Sequence, residues 1–66
     1  MPDLLEIAQH VLDLRKAGRS ELDVLRYVER ANGGRRFEPK QGQTRRQLGA
    51  DLIRSAKIVV SAYQQD

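Results

Sequence analysis

Apolar residues recur every three or four positions in three segments of this chain, the spacing that places side chains on one face of an α-helix. The segments cover about residues 2–17, 20–32 and 44–64. Residues 33–43 lack this period and include Pro39 and Gly42, both of which disfavour a helix. The pattern therefore predicts a single all-α domain over residues 1–66, with three helices and a long loop before the third.

The expected helix ends carry residues that cap helices. Pro2 suits a first helical turn because its missing N–H is not needed there, and Gly18 suits the end of the first helix. Ser20 can cap the second helix. Thr44 and Gln47 form a full capping-box pattern before the third, in which the hydroxyl accepts from one backbone N–H and the amide side chain reaches back. These signals support the three boundaries.

The apolar stripe of the third segment is broader than two short neighbouring helices normally cover. A chain of 66 residues buries only a small core, and without cysteine it has no disulfide to stabilise it. Both observations favour a second copy of the chain, so we predict a homodimer. The residues expected at this dimer or partner interface are Leu52, Ile53, Ile58, Val59, Val60 and Tyr63.

Positive charge is concentrated in one short stretch. Residues 35–46 hold five basic residues against one acidic residue, a net charge of +4, whereas the rest of the chain holds seven basic against eight acidic residues. Two of these arginines fall in the first turn of the third helix, where the helix dipole disfavours cations and attracts anions. The stretch is predicted to bind an anionic partner, either nucleic acid or an acidic protein surface. The residues expected to contact nucleic acid or another anion are Arg35, Arg36, Lys40, Arg45, Arg46 and Gln47.

The connection between the first two segments carries a family resemblance. Residues 14–20 read LRKAGRS, and Val24 follows four residues after Ser20. This resembles the front half of the helix-turn-helix of resolvase and transposase-type DNA-binding domains, where a Leu-Arg-x-x-Gly-x-Ser turn joins two helices. In that family a short turn and the recognition helix follow directly, whereas a longer helix and the basic loop intervene here. The resemblance implies DNA as the partner and the third helix as its reader.

Two functions fit these features. The first is a small DNA-binding regulator of transcription, whose basic loop and third-helix start contact phosphates while Arg and Gln side chains reach base edges. The second is a helical adaptor or inhibitor that docks on another protein, as small proteins of phages and mobile elements do. Phe37 either stacks on a base or folds back onto the helices as the apolar anchor of the loop. Glu21, Asp23 and Glu29 predict a mildly acidic exposed side for the second helix.

Residues for catalysis or metal binding are missing from the pattern. The one histidine, His10, falls on the polar face of the first helix, and there is no cysteine. Ser20 and Thr44 are explained as helix caps. We therefore predict no enzyme activity, no metal site and no cofactor. No apolar run approaches the roughly 18 residues of a membrane span, so the expected setting is the cytoplasm, without a membrane partner.

Overall fold

The computed structural model describes residues 3–64, which form three helices and no strand. The helices are α1 (Leu4–Lys16), α2 (Glu21–Ala31) and α3 (Arg45–Gln64). The prediction of a small all-α domain with three helices is therefore confirmed. The expectation that Pro2 lies in the first turn falls outside the described residues.

Helix starts follow the capping chemistry that the sequence indicates, with one addition. The Thr44 hydroxyl accepts a hydrogen bond from the Gln47 N–H at 3.1 Å, and the Gln47 side chain accepts from the Thr44 N–H at 2.8 Å. This confirms the capping box of α3, and Ser20 caps α2 as expected. The addition is Asp3, whose carboxylate accepts from the Glu6 N–H at 2.8 Å and so marks the start of α1.

The turn between α1 and α2 depends on a glycine. Gly18 has a φ of 82°, in the left-handed region where glycine is favoured. Its N–H donates to the Arg15 carbonyl and the Arg19 N–H donates to the Leu14 carbonyl, each at 3.0 Å. This pair of bonds satisfies carbonyls at the end of α1. The predicted role of Gly18 in ending the first helix is thus confirmed.

The core lies where α3 packs along both of the other helices. Because both α1 and α2 pack against α3, the breadth of its apolar stripe needs no second copy of the chain to explain it. Ile53, one of the residues predicted at a dimer or partner interface, is only 8% exposed and packs in the core, so it offers little surface to a partner. The clustered core residues are Ala8, Val11, Val24, Ile53 and Ala56.

Tyr63 lies on the apolar stripe predicted for α3 but is 62% exposed. The reason is length. At 1.5 Å per residue, the 20 residues of α3 extend about 30 Å, whereas the 13 residues of α1 extend about 20 Å. The last turns of α3 therefore have less neighbouring helix to pack against.

The helices α2 and α3 meet closely at Gly49. A Cβ atom added there would overlap the carbonyl oxygen of Glu21, at the start of α2. Glycine inside a helix is unfavourable by about 1 kcal/mol relative to alanine, so packing rather than helix propensity explains this residue. Gly49 thereby brings the first turns of both helices together.

Candidate nucleic-acid interface

The loop between α2 and α3 is attached to the helices by one carboxylate. Glu29 is 9% exposed, and its Oε2 accepts a hydrogen bond from the Phe37 N–H at 2.7 Å. Arg45 donates to both oxygens of Glu29, at 2.8 and 3.1 Å, and also to the Phe37 carbonyl at 3.0 Å. We call these three residues, Glu29, Phe37 and Arg45, the Glu29 clasp. The clasp joins the end of α2, the middle of the loop and the start of α3.

The clasp is an ionised pair with matched hydrogen bonds. The hydrogen bonds from Arg45, followed by the one from the Phe37 N–H, hold the pKa of Glu29 below its ordinary value, against the opposing effect of desolvation. The hydrogen bonds between Arg45 and Glu29 also raise the pKa of Arg45. No buried side-chain nitrogen or oxygen of the described residues lacks a hydrogen-bond partner. A buried carboxylate is therefore tolerated here because its charge and lone pairs are satisfied.

The prediction that Glu29 lies on the exposed side of α2 is wrong. The sequence predicts that Glu29 contributes to an acidic exposed face with Glu21 and Asp23, but Glu29 faces α3 and the loop. Glu21 is half-buried and pairs with Arg46 at 3.4 Å and with Arg15 at 3.9 Å. The pKa of Glu21 is lowered, first by its own backbone N–H and then by these two arginines.

The first turn of α3 differs from the anion site that the sequence predicts. Arg45 is engaged in the clasp with its side chain 25% exposed, and the Gln47 side chain completes the capping box. Arg46 pairs with Glu21, although its side chain is 74% exposed. The expected repulsion between these arginines and the helix dipole is therefore offset by carboxylates of α2. We assign Arg45 and Gln47 structural roles and leave them out of the candidate interface.

Three cations of the predicted stretch remain at the surface of the loop. Arg35, Arg36 and Lys40 are exposed, and none forms an ion pair with a carboxylate of residues 3–64. Because the clasp holds the backbone at Phe37, these side chains are presented from an attached segment. We call Arg35, Arg36 and Lys40 the loop cations. Phe37 itself is half-buried, which favours its interpretation as an anchor over that as a base-stacking group.

Sequence reasoning missed a second group of cations. Arg19, Arg26 and Arg30 are exposed along α2 and its preceding turn, again without an ion pair among the described residues. Part of the signal was available in the sequence, because Arg26 and Arg30 are four residues apart, at helical spacing.

The predicted interface residues of α3 do not share one surface. Leu52 and Val59 line a small apolar groove between α1 and α3, together with Leu4 and Ile7 of α1. Val60 packs against the core. Ile58 is 69% exposed and lies outside the groove, about 100° around the helix from Val59. The homodimer stays a prediction, and the groove is the part of the predicted set that could contribute to it.

Other kinds of site are not seen in the described residues. Within residues 3–64, no three side chains of His, Cys, Asp or Glu come together in a way that could hold a metal ion. His10 is exposed, as expected, and stacks on Tyr27 with ring centroids 4.3 Å apart. Among the same residues, none of the helices combines the length and apolar character needed to cross a membrane.

Comparison of the chain with protein-family models, curated proteins and solved structures gives no match. The resemblance of residues 14–24 to resolvase and transposase-type domains stays a prediction.

Proposed function

We propose that the protein is a small DNA-binding regulator that contacts the phosphate backbone of a duplex through the loop cations. The observation that carries the proposal is the contrast within the basic stretch. Arg45 is half-buried and paired with Glu29, whereas Arg35, Arg36 and Lys40 project from the attached loop without a carboxylate partner among the described residues. Closely spaced cations of this kind attract polyanions.

The clasp supports this function physically. A flexible loop would lose conformational entropy when its cations settled on phosphates. Here the backbone at Phe37 is already held by Glu29 and Arg45, so part of that entropy is lost on folding instead. Attachment of the loop is therefore expected to favour binding.

DNA binding is tested by fluorescence anisotropy with a labelled mixed-sequence duplex, titrated at several salt concentrations from roughly 50 to 200 mM. Wild-type protein is expected to bind with an affinity that falls steeply with salt. The triple variant Arg35→Gln/Arg36→Gln/Lys40→Gln is expected to bind more weakly. Its slope of log affinity against log salt should be reduced by about 0.9 for each phosphate that the variant no longer neutralises.

The matched control is Lys16→Gln/Arg54→Gln/Lys57→Gln, which removes the same number of charges from exposed positions of α1 and α3. If this control weakens binding as much as the loop variant does, total charge rather than the loop governs binding. Absence of wild-type binding at low salt would overturn the proposal. The loop cations would then be assigned to the alternative function, that of an adaptor that docks on an acidic protein surface.

A further inference from the structure

Three exposed arginines lie in a row on the outer face of α2 and the turn before it. Arg26 and Arg30 are four residues apart on α2 and share one side of the helix. Arg19 lies in the turn just before the Ser20 cap. The opposite side of α2 carries Val24 and Leu25, which are fully buried. The row therefore points away from the core. We call Arg19, Arg26 and Arg30 the outer arginine line.

The arginines of this line border one depression in the surface. A shallow cleft of about 300 Å³ is lined by Leu14, Arg19, Asp23, Arg26, Tyr27 and Arg30. Tyr27 forms part of its wall and is itself packed against the ring of His10. The three arginines thus surround a common space.

The charge of the line is poorly compensated within the molecule. Arg26 and Arg30 are four residues apart on one helix, where like charges destabilise each other. Asp23 also lines the cleft, yet it forms no ion pair with Arg19, Arg26 or Arg30 within residues 3–64. The arginines at positions 15, 45, 46 and 54 do have carboxylate partners. Among the described residues, uncompensated arginine is therefore confined to the loop and to this face of α2.

The line is continuous with the loop cations. Arg30 lies in the last turn of α2, and Gly33 and Gly34 turn the chain directly into Arg35 and Arg36. The loop backbone then returns to α2 at Phe37, which bonds to Glu29, the residue before Arg30. The outer arginine line and the loop cations are therefore neighbours in the chain at the end of α2.

We propose that the outer arginine line is a second phosphate-contacting surface, which binds the backbone of the same duplex as the loop cations. This rests on the DNA-binding function proposed above and adds the outer face of α2 to its interface. Bound phosphates compensate the positive charge of the three arginines, which Asp23 alone does not.

The test is the triple variant Arg19→Gln/Arg26→Gln/Arg30→Gln, measured by the same anisotropy titration beside wild type, the loop variant and the Lys16→Gln/Arg54→Gln/Lys57→Gln control. Circular dichroism and thermal unfolding establish that the variant is folded, which is expected because the three side chains are exposed. We expect affinity to fall by at least roughly tenfold at low salt, and the salt slope to fall by about 0.9 for each phosphate left without its arginine.

The outcomes separate this proposal from the function on which it rests. If the line variant binds like wild type while the loop variant is weakened, the outer arginine line has no role and the loop function stands. If the line variant and the loop variant are both weakened more than the control, the proposal is supported. If only the line variant is weakened, DNA contact through the loop cations is overturned, and with it the proposal of a second surface beside them. If wild-type protein does not bind the duplex at all, both are overturned together.

Discussion

On the inner flank of α2, Glu29 accepts a hydrogen bond from Arg45 at 2.8 Å and is 9% exposed. On the outer face of the same helix, Arg26 and Arg30 are exposed and have no ion-pair partner among residues 3–64. Arginine therefore stabilises the fold at the inner flank of α2, through Arg45, and leaves positive charge exposed on the outer face, at Arg26 and Arg30. The contrast implies that substitutions on the inner flank change stability, whereas substitutions on the outer face change binding.

The largest effect on stability is expected at Gly49, where the packing of α2 against α3 leaves no space for a side chain. Gly49→Ala places a Cβ against the Glu21 carbonyl oxygen, and overpacking of this kind costs about 1–3 kcal/mol. That is a large share of the stability of so small a domain, so the urea midpoint should fall sharply or the protein should fail to fold. Gly42→Ala is the control, since its Cβ meets no atom within 4 Å and only the positive φ of 82° is strained. A urea midpoint of Gly49→Ala at or above that of wild type would contradict the close approach of the helices.

A smaller effect on stability is expected when one arginine is replaced on each side of α2, in two separate variants. Arg45→Gln leaves the buried Glu29 carboxylate without its charged partner, which destabilises the folded state. Arg26→Gln removes an exposed charge and should change the free energy of unfolding by less than about 0.5 kcal/mol. Urea unfolding of both variants measures the difference. A similar decrease in both would mean that the inner and outer arginines are not distinct in their contribution to the fold.

The smallest effect is a dependence of stability on pH. The folded-state pKa of Glu29 lies below its ordinary value, so its ionised form stabilises the fold above about pH 4.3. That contribution is lost as the pH falls through the lower folded-state pKa. Wild type should exceed Glu29→Gln in urea midpoint at pH 7, and the difference should shrink toward pH 3. Glu6→Gln, at an exposed position of α1, is the control, and a difference for Glu29→Gln that is constant with pH would exclude this role of its ionised form.

The sequence predicted the helices and their ends because the interactions that set them are local. The capping residues and their partners lie three positions apart, as in Thr44 with Gln47, and the apolar period appears directly in the order of residues. The same reasoning found the loop cations, since they are neighbours in the chain. It could also have found Arg26 and Arg30, because helical spacing is a local property.

What the sequence determined by itself is therefore the helical content, the caps and the total charge. Only the tertiary structure decided which charges remain at the surface. Glu29 meets Phe37 eight residues away and Arg45 sixteen residues away, and Gly49 meets Glu21 across two helices. These contacts depend on how α2 and α3 pack, and the spacing of apolar residues along the chain does not specify that packing. Burial and ion pairing follow from distances in space, so the division between structural and exposed arginines appears only once the helices are assembled.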